Sequence, residues 1–145
     1  MAARAQQAVV VLFVVTAAGC APKTAPPRSP STPPPAARAL EAQEGLASYY
    51  ADQFDGRTTA SGTVFDNEAL LAAHPSYPFG SVVRVTNLRN RRSVDVRIVD
   101  RGPAPAVQAR GVIIDLSRAA AQQLGFITDG RARVRVEVLT RGGGS

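Results

Sequence analysis

The sequence predicts a mainly β domain, a small closed barrel with one short helix. Apolar and polar residues alternate along several short segments, as they do in strands that bury one face. Only one segment carries a clear helical pattern, and long irregular loops connect the rest. Short strands with one helix favour a barrel, because a closed sheet leaves no unpaired edge strand. The predicted domain covers residues 45–139 of the 145-residue chain, which is enough for one hydrophobic core.

The strongest strand signals are the alternating segments 81–87, 93–99 and 133–139. The connection between the first two has hairpin length and contains Asn90 as a turn former. Segments 45–50 and 111–115 are shorter strand candidates. The helix is predicted over residues 118–124, with Ser117 as its N-cap and Gly125 as its C-terminal stop. Residues 140–145 are predicted to be a disordered tail.

The first 19 residues predict a lipoprotein signal peptide. Arg4 gives a basic start, an apolar run covers residues 8–18, and small residues precede Cys20. The run is shorter than the roughly 20 apolar residues that span a bilayer. The segment 17–20 resembles the bacterial lipobox, with Ala17 where leucine is usual. Because Cys20 is the chain's single cysteine, it has no internal disulfide partner, and lipidation explains it better than an ordinary signal peptide with an incidental cysteine.

Residues 20–44 are predicted to form a linker that begins with the lipidated cysteine. Most of the chain's 11 prolines lie here and large apolar residues are scarce, so the segment buries too little surface to fold. A semi-extended spacer of this kind presents the domain away from the membrane. Because Pro22 stands where aspartate favours retention at the inner membrane, the anchor is expected in the outer membrane, facing the periplasm.

The net charge of +6 favours an anionic partner. The arginines are scattered along strands rather than clustered with aromatic residues, so nucleic acid is not the predicted partner. In an exported protein, anionic cell-wall polymer or lipid headgroups fit this charge, and the alternative is a merely solvated basic surface.

Two loops carry the most specific motifs. The first covers residues 54–65 and continues through His74 to Gly80; the second is Asp-Arg-Gly-Pro at 100–103, followed by Ile-Asp-Leu-Ser at 114–117. The segments Gly-Leu-Ala-Ser-Tyr-Tyr and Val-Arg-Val-Thr-Asn-Leu are further motifs of this kind. All of these motifs resemble those of the rare lipoprotein A (RlpA) family, and they follow one another in the family's order over residues 45–139.

The resemblance implies a six-stranded double-psi β-barrel. It also implies an endolytic transglycosylase that needs no cofactor and cleaves the MurNAc–GlcNAc bond of peptidoglycan, leaving a 1,6-anhydro end. Some members prefer glycan strands stripped of stem peptides.

The resemblance places the catalytic role on His74 and Asp100. The family's third position falls on Thr63, where many members have glutamate, and threonine cannot act as a carboxyl acid or base. An alternative function therefore stays open, a non-catalytic peptidoglycan-binding lipoprotein that organises cell-wall or cell-division proteins.

The residues themselves allow two interpretations of each catalytic candidate. Asp100 ends an apolar strand, where partial burial would raise the pKa of a carboxyl that acts in turn as acid and base in lytic cleavage. Aspartate also favours the first position of a turn. His74 is the only histidine, and a lone histidine is more often structural. No cluster of metal-ligand residues is apparent in the sequence, so no metal site is predicted. The predicted substrate-binding residues are Tyr50, Arg57, Asn87 and Arg101.

Overall fold

Six strands build the domain in the computed structural model, which describes residues 39–143. They close into a barrel in the order β1-β5-β2-β4-β3-β6. The predicted six-stranded, mainly β barrel is confirmed. The strands are β1 (Glu41–Tyr49), β2 (Leu71–Ala73), β3 (Val82–Asn87), β4 (Ser93–Asp100), β5 (Val112–Leu116) and β6 (Ala132–Thr140).

Two helices and one 3-10 turn accompany the strands in this part of the chain. The turn covers Asp52–Phe54, α1 covers Pro105–Gln108 and α2 covers Arg118–Leu124. The prediction for α2 is confirmed at both ends. The Ser117 side chain accepts a hydrogen bond from the Ala120 amide, and Gly125 ends the helix in the left-handed conformation at φ 75°. Helix α1 was not predicted.

The core is formed by the inward faces of the strands, as their alternation predicts. In β4 the residues Val94, Val96 and Ile98 are buried while their neighbours along the first part of the strand are exposed. Leu124 of α2 and the following Phe126 are completely buried and pack into the same apolar cluster. The single cluster follows from barrel closure, because every strand turns its apolar residues toward the same interior.

The strands at both ends extend beyond their predicted bounds. β1 begins at Glu41 rather than residue 45, because residues 41–44 pair with residues 135–138 of β6. At the other end β6 runs to Thr140, and the Gly142 amide donates a hydrogen bond of 2.9 Å to the hydroxyl of Ser81. Residues 41–44, which were predicted as the end of the linker, therefore belong to β1, and residues 140–142 contact the barrel instead of beginning a disordered tail.

The remaining predictions for the termini lie outside the described residues. These are the signal peptide at 1–19, the lipidated Cys20, the linker as far as residue 38, and residues 144–145. In residues 39–143, neither helix has the length and apolar composition that a membrane crossing requires.

Candidate active site

A single row of residues crosses four strands at one end of the barrel. Ser48 of β1 pairs with Asp115 of β5, Asp115 pairs with Ala73 of β2, and Ala73 pairs with Asp100 of β4. Directly paired residues of neighbouring strands point to the same face of a sheet. The row therefore brings the carboxyl groups of Asp100 and Asp115 to the same face, with Ala73 between them.

A shift in register directs Asp100 to that face. Ala72 pairs with Ile98, but the next residue, Ala73, pairs with Asp100, so Val99 is the extra residue in β4. Without the shift Asp100 would follow the alternation of Val96 and Ile98 and point into the core. A bulge that redirects one side chain in this way is common beside active sites.

A cleft of about 510 Å³ opens over this row. A narrower depression of about 200 Å³ lies beside it, and Tyr50, Phe54 and Asp100 line both. Arg101, Gly102, Asp115 and Arg131 are among the residues that line the larger cleft, and Arg57 and Phe65 are among those that line the smaller one.

The half-buried Asp100 is held by three donors. Its Oδ2 accepts from the Tyr50 hydroxyl at 2.8 Å, and its Oδ1 accepts from the amides of Ala60 and Arg101 at 2.9 and 2.8 Å. A carboxylate can accept from all three at once. The Ala60 amide belongs to the loop at 55–66, so this hydrogen bond also fixes the loop against the end of β4.

Tyr50 connects the cleft to the aromatic residues beneath it. Its ring packs against Phe65, with 4.4 Å between ring centroids, and against Phe54 at 5.4 Å. Burial, then the hydrogen bond to Asp100 and the charges of Asp100 and Asp115, raise the pKa of Tyr50 far above its ordinary value. The hydroxyl therefore stays protonated and remains a donor to Asp100.

Asp115 is half-buried beside this pair. Its Oδ1 accepts a short hydrogen bond from the Ser48 hydroxyl. Burial raises the pKa of Asp115 and the charge of Asp100 adds to the rise, while the hydrogen bond from Ser48 and the charge of Arg131 oppose it. Neither Asp115 nor Ser48 was among the site residues predicted from the sequence. The available signal was a charged residue interrupting the apolar run 112–116, where a buried strand has no need of one.

His74 follows β2 and is buried, with only 4% of its surface exposed. Its Nδ1 accepts from the amides of Ser76 and Tyr77 at 3.2 and 3.1 Å, so the proton of the neutral ring lies on Nε2. The Nε2 lies 2.8 Å from the side-chain nitrogen of Gln43. Because Nε2 carries the proton, we assign the Gln43 amide the reversed orientation, in which its oxygen accepts from Nε2–H. Burial, followed by the charge of Arg101, lowers the pKa of His74 to about 4. The imidazole is therefore neutral at physiological pH and stacks on Tyr77, with 3.7 Å between ring centroids.

Arg101 joins the histidine to the cleft. Its guanidinium donates to the carbonyl of Tyr77 at 2.8 Å and to that of His74 at 3.3 Å, and it covers the ring of Phe79 at 3.8 Å. The His74 amide in turn donates to the carbonyl of Asp100 at 3.2 Å. These contacts place His74 behind the carboxyl row, where it supports the backbone that carries Asp100 and Arg101.

The loop at 55–66 carries Arg57 and Thr63. The Arg57 guanidinium lies 5.5 Å from the centre of the Phe54 ring, at the edge of the smaller depression. Thr63 is exposed, and its hydroxyl accepts from the Ser61 hydroxyl at 3.1 Å. The position at which many members of the resembled family have glutamate therefore carries a short neutral side chain in this loop.

Asn87 does not fit its predicted role as a substrate contact. It is completely buried at the end of β3. Its side-chain amide donates to the carbonyl of Leu124, and its side-chain oxygen accepts from the Arg89 amide. These contacts join the β3–β4 turn to the end of α2 and leave no surface for a glycan, so this prediction is corrected.

The residues predicted for the site divide into three groups. Tyr50, Asp100 and Arg101 line the larger cleft, and Arg57 lines the depression beside it. His74 lies behind the cleft, and Asn87 is packed against α2. In residues 39–143, no three histidine, cysteine or carboxyl side chains come together as a metal site.

Comparisons with known proteins identify relatives of this chain. Residues 42–136 match a family model described as lytic transglycolase. The chain is 57% identical over 100 residues to the "Probable endolytic peptidoglycan transglycosylase RlpA" of Nostoc sp., covering 68% of this chain and 26% of that protein. It is 51% identical over 98 residues to the endolytic peptidoglycan transglycosylase RlpA of Pasteurella multocida, covering 68% of this chain and 32% of that protein. The chain thus spans roughly a quarter to a third of the length of these relatives.

A solved structure shares the barrel at lower sequence identity. The expansin of Clavibacter michiganensis superposes with a TM-score of 0.54 at 20% identity, over 72% of this chain and 53% of that chain. At this identity the likeness concerns the fold alone.

Proposed function

This chain belongs to the lytic transglycolase family that includes RlpA, and from that membership we propose that it cleaves the glycan strands of peptidoglycan. The bond attacked is the one between MurNAc and GlcNAc, and the product carries a 1,6-anhydro end. The observation that carries the proposal is the Asp100 carboxylate, which three donors hold at the floor of an open cleft.

The reaction needs two proton movements and no water. The bond between C1 of MurNAc and O4 of GlcNAc breaks, and O4 gains a proton. The C6 hydroxyl of the same MurNAc attacks C1, and O6 loses its proton as the new bond forms. General acid–base groups commonly accelerate such transfers by about 10²- to 10⁴-fold.

Asp100 is assigned to the second movement. Since its oxygens already act as acceptors for Tyr50, Ala60 and Arg101, the group is suited to accept the proton of the C6 hydroxyl. Its fixed position matters as much, because a base must lie within hydrogen-bond reach of the proton it removes. The prediction from the sequence gave both proton movements to Asp100, whereas its contacts favour the role of base.

The surroundings of Asp100 suit a sugar polymer. The cleft is open at the barrel surface and combines apolar ring surface with charged groups. Arg57 lines the smaller depression and Arg101 lines the larger cleft, and both can donate hydrogen bonds to sugar hydroxyl or lactyl oxygens. We assign them, with Tyr50, to substrate binding, and we assign His74 to support of the Asp100 backbone. Strands without stem peptides are the proposed preferred substrate, as the family resemblance implies.

The location of the protein is part of the proposal. Lipidation of Cys20 anchors the chain in the outer membrane, and the proline-rich linker lets the barrel reach the peptidoglycan. This assignment rests on the lipobox-like sequence at 17–20 and on the composition of the linker.

The activity is tested by incubating the full chain, purified in detergent, with peptidoglycan strands from which an amidase has removed the stem peptides. Mass spectrometry of the products should show anhydro-MurNAc ends, and intact strands that keep their peptides should be cut more slowly. Asp100→Asn should abolish the products, while Asp95→Asn, the same change on the outer surface of β4, should leave the rate unchanged. Absence of anhydro ends with the unmodified chain would overturn the enzyme assignment.

A second function is supported by Thr63, whose hydroxyl cannot replace a carboxyl. In this alternative the cleft binds denuded glycan without cutting it, and the lipoprotein organises cell-wall or cell-division proteins. Retention of the chain on naked strands without product formation would support this function. Under the binding alternative, Thr63→Glu should then produce anhydro ends, whereas under the enzyme assignment the unmodified chain is already active.

A further inference from the structure

We propose that Asp115 is the proton donor of this site, delivering its proton to the leaving O4 of GlcNAc while Asp100 removes the proton of the C6 hydroxyl. The inference rests on the proposed transglycosylase function. It assigns a catalytic role to a residue that the sequence motifs left without one.

The placement of Asp115 is the first argument. Asp115 and Asp100 both pair with Ala73, on opposite sides of β2, so their backbones are two strand spacings apart, about 9–10 Å. Both carboxyl groups line the same cleft. The two carboxyl groups therefore face one cleft from the two sides of β2, where each can act on a different oxygen of the bound glycan.

The free oxygen of Asp115 is the second argument. Ser48 donates to Oδ1, while Oδ2 has no hydrogen-bond partner among residues 39–143. The residue above Oδ2 is Gly102, where a Cβ atom would stand only 3.4 Å from Oδ2 and 3.5 Å from the Cβ of Ala73. The absence of a side chain at Gly102 therefore keeps the approach to Oδ2 open from the cleft.

The difference between the two carboxyl environments is the third argument. Asp100 accepts three hydrogen bonds, two of them from backbone amides, whereas Asp115 accepts one, from a hydroxyl. Burial favours the neutral form of Asp115, and a charged Asp100 disfavours a second negative charge nearby. Paired carboxyl groups with such unequal surroundings divide into an acid and a base.

The proton balance closes without another reactant. The neutral Asp115 gives its proton to O4 as the C1–O4 bond breaks. The ionised Asp100 takes the proton of O6 as the C1–O6 bond forms. After the products leave, Asp100 returns its proton to water and Asp115 takes one from water, which restores the starting state.

This assignment also explains how a chain with Thr63 can be active. If Asp115 supplies the acid, the reaction does not require a carboxyl at residue 63. Thr63→Glu should then change the rate on naked strands less than threefold.

The test compares two substrates in the full-length protein. In naked glycan strands the leaving group is the O4 of GlcNAc, which needs a proton from an acid. A 4-nitrophenyl glycoside of a MurNAc-terminated glycan fragment releases nitrophenolate, a leaving group that needs no protonation. Asp115→Asn should lower kcat/KM on strands at least 100-fold and change the rate on the nitrophenyl glycoside less than fivefold. Asp100→Asn should lower the rates on both substrates, because both require the base.

The pH profile gives a second measurement. In the unmodified protein the rate on strands should fall at alkaline pH as Asp115 ionises, and Asp115→Asn should remove this fall.

Three results separate the possible failures. Equal rates for Asp115→Asn and the unmodified chain on strands would overturn the role of Asp115 and leave the proposed function intact. Equal losses on both substrates, in a variant with unchanged circular dichroism and melting temperature, would also overturn the role of Asp115 as acid. An unmodified chain that cuts neither substrate would overturn the proposed function itself. Asp95→Asn, outside the cleft, serves as the matched control and should retain both activities.

Discussion

The hydroxyl of Tyr50 donates a 2.8 Å hydrogen bond to Oδ2 of Asp100, which couples the end of β1 to the end of β4. The two residues are 50 positions apart in the chain, yet they line the same cleft. Because the ring of Tyr50 is fixed between Phe54 and Phe65, the hydroxyl has little freedom to turn away. The aromatic packing thus sets the orientation of the carboxylate.

Tyr50→Phe is expected to lower kcat/KM on naked strands by roughly 10- to 100-fold. The estimate follows from the roughly 1.5–3 kcal/mol that a hydrogen bond to a charged group contributes. The ring and its contacts with Phe54 and Phe65 remain, so the variant should stay folded, with a melting temperature lowered only by the loss of this one hydrogen bond. The rate of formation of anhydro ends and a thermal melt measure the two effects.

Tyr49→Phe is the matched control for this change. The Tyr49 hydroxyl donates to the carbonyl of Ile127 rather than to a carboxylate. Its loss should leave kcat/KM within about twofold of the unmodified chain. Similar activity losses in the two variants would show that the bond between Tyr50 and Asp100 has no special role.

The stability of the barrel should depend on pH through His74. The folded pKa of about 4 lies below the ordinary value of 6.5, so between these values the unfolded chain binds a proton that the folded chain does not. Stability should therefore fall as the pH decreases from about 6.5 towards 4, by at most about 1.4 kcal/mol per pH unit from this group. Above about pH 6.5, His74 adds no pH dependence to the stability. Urea unfolding at pH 7, 6 and 5 measures the slope.

His74→Asn separates this contribution from those of the carboxyl groups. The asparagine side-chain oxygen can still accept from the amides of Ser76 and Tyr77, but it does not titrate. The variant should be less stable at pH 7, since the stacking on Tyr77 is lost, and its stability should vary less between pH 7 and 5. An unchanged slope would contradict the assignment to His74.

The parts of the fold that the sequence predicted are those with local signals. Strands β3, β4 and β6 are long enough to show alternation, and α2 carries both its N-cap and its glycine stop. Strand β2 (Leu71–Ala73) was not predicted. It has three residues, too few to show alternation, and only its pairing with β4 and β5 defines it. The four-residue helix α1 is likewise too short for a helical pattern.

The site was predicted as far as motifs and strand ends allow. Asp100 was identified by its motif and by its position at the end of β4. Strict alternation would have placed it in the core, and the extra residue Val99, which directs it to the cleft, is visible only from pairing with β2. Asp115 was missed because its significance depends on Ser48 and Asp100, which are distant in sequence. Asn87 was misassigned because an exposed and a buried asparagine at a strand end have the same local sequence.

Cys20→Ser is expected to release the protein from the membrane. The lipid chains on Cys20 are the proposed anchor, and several acyl chains are needed for stable attachment. In cells that express the full chain, labelled palmitate should be incorporated into the unmodified protein and not into the variant. Separation of the membranes should place the unmodified protein in the outer-membrane fraction. Ser29→Ala, in the same predicted linker, is the control, and a Cys20→Ser protein that stays in that fraction would contradict the anchor.

Gly102→Ala tests the open approach to the carboxyl row. Gly102 has φ 153°, which side-chain-bearing residues rarely adopt, and its new Cβ would lie 3.4 Å from Oδ2 of Asp115. Backbone strain should lower stability by about 1–3 kcal/mol, and the methyl group should lower the rate on naked strands at least tenfold. Gly130→Ala is the matched control, because Gly130 has φ 70° with no neighbour within 4 Å of its added Cβ. Gly130→Ala should lose comparable stability and keep its activity, because only Gly102 lies over Asp115. Equal activity losses in the two variants would show that backbone strain, rather than a blocked approach to Asp115, lowers the rate.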